Sequence, residues 1–174
     1  MAEALINKGN IMISYTEHAS PVGTLLLAAT DVGICGIYFE EHKHFKGKDG
    51  WLQTPTQAAA QHLKNAATQL DEYFAGQRTE FDVVLDMTGT EFQRGVWTAL
   101  NAIPFGQSVT YAQHAQGLGN PKALRAVGSA IGKNPVSIIV PCHRVIGSSG
   151  AVTGYAGGLE RKRFLLALEG IAVN

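Results

Sequence analysis

Side chains able to do chemistry cluster near the carboxyl-terminal end of the 174-residue chain, where residues 141–145 are Pro-Cys-His-Arg-Val. A cysteine thiolate is a strong nucleophile, and a nearby cation or imidazole base, here Arg144 or His143, favours it over the thiol. Glu169 lies further along the chain and is a candidate to orient the imidazole as the third member of a relay. The segment therefore suggests nucleophilic chemistry at Cys142.

The same segment is also compatible with an unreactive cysteine, because a lone cysteine after an apolar stretch is commonly a small buried hydrophobe. Residues 137–140 are Ser-Ile-Ile-Val, an apolar β-branched run that predicts a buried strand leading to Cys142. Sequence neighbours in an extended chain point to opposite faces, so activation by His143 requires a turn at Cys142 or a bridging water. Spacing alone leaves both interpretations open.

Residues 1–87 have the pattern of a small α+β domain. Short β-branched and apolar stretches predict strands, and apolar residues at helical spacing predict one long helix. Pro21, Asp31 and Gly33 supply turn residues between the first strands, and the polar stretch 40–50 is predicted to be a loop. The predicted strands are 11–16, 23–28, 33–39 and 80–86, and the predicted helix is 57–75.

Residues 88–174 are predicted to form a second, mostly helical domain. A capping box is available at its start, either as Thr88 with Glu91 or as Thr90 with Gln93. A helix, a tight glycine-containing turn and a second helix follow, which is the layout of a helix-turn-helix, although many small domains share it. The predicted helices are 92–103, 111–116 and about 122–132, with the turn at 118–121.

The last of these helices is rich in small side chains. Close packing against a neighbouring helix would explain them, but so would entry into a narrow space such as the DNA minor groove, which is about 6 Å wide. Arg125 would then be the one long side chain on that surface. The small residues are Ala123, Ala126, Gly128, Ser129 and Ala130.

The charge is unevenly distributed, although the net charge of the chain is zero. Residues 1–87 contain 6 basic and 11 acidic residues, a net charge of −5, whereas residues 88–174 contain 8 basic and 3 acidic residues, a net charge of +5. A basic half suits a phosphate-bearing partner such as DNA. The two halves would also neutralise each other across a shared interface, so charge alone does not decide between these explanations.

Composition and cysteine count exclude several classes of protein. The chain is 45% hydrophobic and 16% charged, as in an ordinary globular protein, and it contains no apolar run long enough to cross a membrane. Residues 1–7 lack the basic start and apolar stretch of a signal peptide, so a cytosolic or nuclear location is expected. Cys35 and Cys142 lie far apart and suggest neither a disulfide framework nor a metal motif.

The motifs around Cys142 resemble those of one known family. They are the Pro-Cys-His-Arg-Val segment, Gly-Asn-Pro-Lys-Ala-Leu-Arg-Ala-Val-Gly at 119–128, Asn134-Pro135, Ser149-Gly150 and Gly-Tyr-Ala-Gly-Gly at 154–158. Together they closely resemble the O6-alkylguanine-DNA alkyltransferases, in particular the constitutively expressed bacterial type. The similarity runs without evident gaps from about Phe92 to Gly170, whereas the first half matches in size and pattern only.

The resemblance implies a catalytic role for five residues. Cys142 would accept the alkyl group, and His143 would act as a base through a water molecule while Glu169 holds it. Asn134 looks like the hinge asparagine that ties the recognition helix to the active-site turn. Tyr111 corresponds to the tyrosine that contacts the damaged base and the DNA backbone.

The resemblance also implies how DNA and the damaged base are bound. Arg125 corresponds to the arginine that fills the base stack when the nucleotide leaves it, and the helix bearing Ala123, Ala126 and Gly128 would enter the minor groove. The base pocket would be lined by Val145, Tyr155, Ala156 and Gly157, with Lys162 close by. The expected partner is double-stranded DNA carrying O6-alkylguanine, bound by a cytoplasmic monomer with no cofactor.

The implied architecture is an α+β fold with a ribonuclease H-like first domain and a winged helix-turn-helix-like second domain. Ala156 stands where some relatives have serine, so a backbone contact would survive there but a hydroxyl contact would not. Some relatives hold zinc in the first domain, but Cys35 and His18, His42 and His44 lack zinc spacing, so no metal is predicted. Non-repairing relatives replace the cysteine, and Cys142 is present.

Two other classes of function compete with alkyl transfer. A DNA-binding regulator would use the helix-turn-helix for sequence-specific binding and would tolerate Cys142→Ser. A cysteine hydrolase would use Cys142, His143 and Glu169 as a relay with multiple turnover, although adjacent cysteine and histidine residues are poorly placed for direct contact.

Overall fold

The computed structural model describes residues 11–174 and has the α+β fold that the sequence predicts. Its first part is an antiparallel sheet with strand order β1-β2-β3. The bounds are β1 (Ser14–His18), β2 (Leu25–Ala29) and β3 (Ile34–Tyr38). The expectation about a signal peptide concerns residues 1–7, which lie outside the described part.

One long helix, α1 (Gln57–Phe74), packs against this sheet and confirms the predicted helix. The hydroxyl of Thr56 accepts a hydrogen bond from the backbone N–H of Ala59, which satisfies an otherwise unpaired donor at the helix start. Gly76 adopts a left-handed φ of +75° and ends the helix. The buried face of α1 is apolar apart from Gln69 and Tyr73, and each of these two polar groups has a partner.

The second half is mostly helical, as predicted. Its elements are α2 (Glu91–Leu100), β4 (Val109–Thr110), α3 (Tyr111–Gly117), α4 (Leu124–Gly132), β5 (Val145–Ile146) and α5 (Leu159–Leu168). The capping box at the start of α2 forms between Thr90 and Gln93, the second of the two predicted pairs. The short strands β4 and β5 pair in parallel. Helix α5 was not predicted.

Helices α3 and α4 form the predicted helix-turn-helix. The turn depends on Gly119, whose φ of +72° is unfavourable for residues with a side chain. The N–H of Gly119 donates to Gln116 O at 2.9 Å, and the N–H of Asn120 donates to Ala115 O at 3.0 Å. This pair of bonds closes α3 in a Schellman motif and redirects the chain into α4.

Two predicted strands are wrong. Residues 80–86 form only a one-residue parallel bridge, between Leu85 and Ile34, because the rest of the segment makes no ladder with the sheet. Residues 137–140 are buried but form turns, with hydrogen bonds to carbonyls two and four residues back. The apolar composition predicted burial correctly. A fully buried run is apolar whether it forms a strand or a turn, so composition does not distinguish the two.

A single hydrophobic cluster joins the two halves. It contains residues of the sheet and α1 together with Trp97 of α2, whose indole N–H donates to Ala130 O at 2.7 Å. A parallel bridge between Ile37 and Val136 also connects β3 to the segment before Cys142. The division into domains at residues 87 and 88 stays a prediction.

None of the helices in residues 11–174 combines the length and apolar content that a membrane crossing requires.

Candidate active site

Cys142 opens a short 3-10 turn, Cys142–Arg144, that follows Pro141. The turn supplies the change of direction that the sequence analysis required if Cys142 and His143 are to act together. The backbone N–H of Cys142 donates to Val140 O at 2.8 Å, so the thiol is held by the turn on which it lies. Its residue is only 6% exposed.

The segment before Cys142 is held by Asn134 and includes a strained residue. The Asn134 amide donates to Val140 O at 2.8 Å, and its oxygen accepts from Val136 N–H at 3.0 Å. Ile138 has a φ of +72°, a left-handed conformation that is a genuine outlier for a β-branched residue. Asn134 lies two residues after α4, so its hydrogen bond to Val140 O connects the end of that helix to the turn carrying Cys142. Its hinge role stays a prediction.

Cys142 lines a cavity of about 620 Å³, called here the Cys142 cavity. Its lining includes the small-residue face of α4, the loop 154–159 that precedes and begins α5, and Lys43 and His44 from the first half. The lining residues include Tyr111, Gly128, Ser129, Gly132, Asn134, Gly154, Tyr155 and Ala156. Cys142 therefore borders open space within the protein surface, although little of the residue is exposed.

Behind Cys142, three side chains surround Glu169 in a buried polar network. His143 Nε2 lies 2.8 Å from Glu169 Oε1, and the Tyr73 hydroxyl donates to the same oxygen at 2.8 Å. Arg144 donates to both carboxylate oxygens, at 2.8 and 2.9 Å, and to Ile103 O at 2.6 Å. Glu169 is the C-cap of α5, so the helix end fixes where its carboxylate lies.

The protonation states in this network follow from its partners. Burial alone would raise the pKa of Glu169, but the hydrogen bonds from His143 and Arg144 lower it to about 2, so the carboxylate is ionised. Burial lowers the pKa of His143 despite the opposing effect of Glu169, so the ring is neutral at pH 7. Because Nε2 faces a carboxylate, the ring proton is assigned to it, and Nδ1 is left as the basic nitrogen.

His143 Nδ1 is buried and has no hydrogen-bond partner among the described protein atoms. A buried acceptor of this kind needs a partner, which a water molecule would provide.

Burial raises the pKa of the Cys142 thiol, while the Asn134 amide and the Lys162 ammonium act in the opposite direction. Lys162 is fully buried, and burial lowers its pKa to about 8 although the negative charge of a Cys142 thiolate opposes the shift. The resting thiol is therefore protonated at neutral pH, and a reaction at sulfur requires a proton acceptor.

Tyr111 and Lys162 hold the loop at the mouth of the cavity from two sides. The Tyr111 hydroxyl donates to Thr153 O at 3.0 Å, and the Lys162 ammonium donates to Thr153 O at 2.7 Å and to Gly154 O at 3.2 Å. The Lys162 nitrogen also lies 5.7 Å from the centre of the Tyr111 ring. These contacts position Tyr155 in the cavity wall.

The structure brings Cys142, Asn134, Tyr111, Tyr155 and Ala156 together around the cavity. Other candidate residues lie nearby without lining it. His143 and Glu169 lie behind it, Val145 is fully buried beside it, and Gly157 packs so closely on Phe39 that a side chain would collide with that ring. Arg125, Ala123 and Ala126 lie on or beside the outer part of α4, and Arg125 and Ala126 are exposed.

Sequence reasoning missed two members of the network. Tyr73 falls at an apolar position of the predicted helix 57–75, and a tyrosine on a buried helix face needs a partner for its hydroxyl. Arg144 was considered only as a cation near the thiol, whereas its guanidinium binds Glu169 in two places. A buried arginine adjacent to a predicted histidine–carboxylate pair was the available signal.

In the described residues no group of three or more His, Cys, Asp or Glu side chains is arranged to hold a metal ion. The absence of a metal stays a prediction.

Two family models match this chain. The DNA binding domain of 6-O-methylguanine DNA methyltransferase matches residues 91–171, and the ribonuclease-like domain of the same enzyme matches residues 13–87. Together they span most of the chain, which therefore belongs to the 6-O-methylguanine DNA methyltransferase family.

Curated relatives agree with that assignment. The methylated-DNA--protein-cysteine methyltransferase of Mycolicibacterium paratuberculosis is 48% identical over 158 residues, which cover 91% of this chain and 93% of the relative. The protein of that name from Methanosarcina acetivorans is 47% identical over 157 residues, covering 90% and 97%. The crystal structure of Mycobacterium tuberculosis OGT in complex with DNA has a TM-score of 0.81 and 46% identity, covering 90% of this chain and 92% of that one.

Proposed function

We propose that this protein repairs alkylated DNA by transferring the alkyl group of O6-alkylguanine, and of O4-alkylthymine, irreversibly to its own Cys142. The observation that carries the proposal is the position of Cys142, which lies in the wall of a cavity between α4 and the loop 154–159. Membership of the methyltransferase family supports the reaction, and the DNA complex of the Mycobacterium tuberculosis relative supports DNA as the partner.

Helix α4 is proposed to bind in the minor groove. Its accessible face carries Ala126, Gly128 and Ser129, and this face borders the Cys142 cavity. A helix with ordinary side chains is about 10–12 Å across, so removing side chains from one face reduces its width toward that of the groove. Cations of the basic half would bind phosphates, giving affinity that depends on salt and not on sequence.

The damaged nucleotide must leave the duplex before it reaches Cys142, because a stacked base cannot present its O6 substituent to a buried sulfur. Extrusion costs a few kcal/mol. Arg125 is exposed at the start of α4, where its side chain is free to enter the space that the base leaves. Occupying that space restores stacking contacts and offsets part of the cost.

The transfer is a displacement at the alkyl carbon. The sulfur of Cys142 forms a bond to that carbon as the bond from carbon to O6 breaks, and the electron pair stays with the guanine. Burial raises the pKa of Tyr111, so its hydroxyl stays protonated, and it would donate to the departing ring by exchanging its hydrogen bond to Thr153 O for one to guanine. The net reaction moves one proton from the thiol to guanine, so no cofactor or co-reactant is required.

His143 is proposed to remove the thiol proton through a water molecule. Its basic nitrogen Nδ1 is buried without a protein partner, and its other nitrogen faces the ionised Glu169. Glu169 stabilises the imidazolium that forms and fixes the orientation of the ring. Asn134 and Lys162 favour the resulting thiolate, since both lower the pKa of Cys142.

The remaining candidate residues are assigned to the base pocket. Tyr155 and Ala156 line the cavity, and Tyr155 is supported from behind by Phe39, whose ring centre lies 5.6 Å away. Gly157 allows this close approach of Phe39, and the backbone at Val145 is expected to face the base. Lys162 holds the loop through the carbonyls of residues 153 and 154.

The product explains why each molecule is expected to react once. S-alkylcysteine is a thioether, which has no electrophilic carbonyl for water to attack, so the bond is not hydrolysed. The protein would act as a cytoplasmic monomer that is consumed by repair.

Intact mass and peptide mapping test this proposal, after the protein is mixed with duplex DNA that contains one O6-methylguanine. We expect one added methyl group per molecule, on the peptide that contains Cys142, with no further addition at longer times. DNA binding with no mass change would favour a regulatory or damage-binding protein, and turnover of an ester or amide would favour a hydrolase.

A further inference from the structure

A loop from the amino-terminal half forms part of the Cys142 cavity. The segment 40–45, which follows β3 and is called here the 40–45 loop, contributes Lys43 and His44 to the cavity lining. The backbone N–H of Lys43 donates to Ala156 O at 2.9 Å, which ties this loop to the base-pocket loop. The amino-terminal half therefore reaches the site where the extruded nucleotide is proposed to bind.

The 40–45 loop is held in a defined conformation. Glu41 and His44 have φ values of 58° and 66°, which are uncommon for residues with a side chain and persist where neighbours enforce them. The Phe39 N–H donates to His42 Nδ1 at 3.2 Å, and the His42 ring stacks on Phe39 with ring centres 5.8 Å apart. Burial, with His44 and Arg161 acting in the same direction, lowers the pKa of His42 to about 4, so the ring is a neutral acceptor.

The loop brings a second cation to the cavity, in addition to the fully buried Lys162 beside it. Among the lining residues in the described part of the chain, Lys43 is the one Lys, Arg, Asp or Glu, and it is exposed, whereas the Lys162 ammonium is occupied by the carbonyls of residues 153 and 154. An extruded nucleotide carries its phosphodiester groups to the cavity mouth along with its base. A lysine ammonium there pairs with a phosphate as a point charge.

We infer that Lys43 binds a backbone phosphate of the extruded nucleotide at the mouth of the Cys142 cavity. This inference rests on the proposed function. It makes the amino-terminal half part of the substrate-binding surface.

The test compares Lys43→Ala with Lys46→Ala, which removes the same charge from an exposed lysine that does not line the Cys142 cavity. Single-turnover rates are measured on an O6-methylguanine duplex over a range of salt concentrations. Free O6-methylguanine and O6-benzylguanine bases, which carry no phosphate, serve as parallel substrates. Binding of the lesion duplex and of an unmodified duplex is measured in a Cys142→Ala background.

We expect Lys43→Ala to slow repair of the duplex about three- to tenfold at low salt and to reduce the salt slope by about one. Its reaction with the free bases should be unchanged, and its binding to the lesion duplex should weaken more than its binding to unmodified DNA. Lys46→Ala and Lys43→Arg should behave like the parent protein.

Equal duplex rates for Lys43→Ala and Lys46→Ala would overturn the inference, as would an equal slowing on free base and duplex. If the parent protein transferred no alkyl group, the proposed function would fail. The binding comparison would still show whether Lys43 contacts DNA that carries the lesion.

Discussion

Cys142 and Cys35 are both partly or fully removed from solvent, and burial raises the pKa of both thiols, that of Cys35 to about 11. Their neighbouring side chains shift the pKa of the two thiols in opposite directions. The Asn134 amide and the Lys162 ammonium oppose the effect of burial at Cys142, whereas the carboxylate of Asp86 adds to it at Cys35. Cys142 also lines a cavity, while Cys35 lies within β3.

The comparison shows that burial does not separate a reactive cysteine from an inert one. What distinguishes Cys142 is a group of neighbours that stabilise negative charge, a proton acceptor behind it and an open approach in front of it.

Replacing the two cysteines in turn should give the largest contrast. Cys142→Ala is expected to abolish alkyl transfer and to retain DNA binding, because the sulfur is the acceptor and not a DNA contact. Cys35→Ala should transfer at a rate within about twofold of the parent, as for a substitution away from the site. Counting methyl groups by mass spectrometry decides between them, and transfer in the Cys142→Ala variant would remove the central assignment.

The carboxylate that holds the proton acceptor His143 in place is tested by Glu169→Gln. This change leaves Arg144 buried without its counter-charge, so we expect a loss of about 3–5 kcal/mol in the free energy of unfolding, together with slower transfer. Glu160→Gln, on the exposed face of the same helix, is the matched control. Denaturant unfolding of the three proteins measures the effect.

The same variant has a characteristic pH dependence. The folded-state pKa of Glu169, about 2, lies below the unfolded value of about 4.3, so its stabilisation is complete above pH 4.3 and is lost as the pH falls toward 2. The Glu169→Gln side chain does not titrate. The stability difference from the parent should therefore narrow between pH 4.3 and 2, and a constant difference would mean that the ionised carboxylate is not what stabilises the fold.

Delivery of the damaged base to Cys142 is tested by Arg125→Ala. If Arg125 replaces the extruded base, the variant should repair duplex DNA about tenfold more slowly and react normally with free O6-alkylguanine base, which needs no extrusion. Iodoacetamide should modify both cysteines at parental rates, since the thiols themselves are unchanged. Equal slowing on duplex and free base would place Arg125 in the chemical step instead.

The sequence predicts those parts of the fold that depend on residues close together in the chain. The α+β fold, the helix-turn-helix and the capping box at Thr90 follow from periodicity and turn residues within short windows. Helix α5 was missed because its charged and apolar residues are mixed around the helix, which leaves no clear apolar face. Residues 137–140 were assigned to a strand because their apolar pattern gives no sign of the left-handed φ of Ile138.

The candidate site likewise contains residues that the sequence predicts and residues that it does not. Cys142 and its neighbours are recognisable because the motif is contiguous, and the resemblance extends the assignment to Asn134, Tyr111 and Glu169. The contact between Tyr73 and Glu169 joins residues 96 positions apart, and no local pattern predicts such a pair. The position of Lys43 in the cavity likewise depends on how the two halves pack.

The smallest expected effect concerns the charge beside Cys35. Asp86→Asn keeps an acceptor for the Thr30 hydroxyl, which now donates to Asp86 at 2.5 Å, and removes the negative charge that raises the pKa of Cys35. Burial remains, so the thiol should become only about two- to threefold more reactive toward iodoacetamide at a fixed alkaline pH. The alkylation rate of Cys142 should not change in this variant. An unchanged rate at Cys35 would show that burial alone keeps this thiol inert, and the contrast between the two cysteines would then depend on the stabilising neighbours of Cys142.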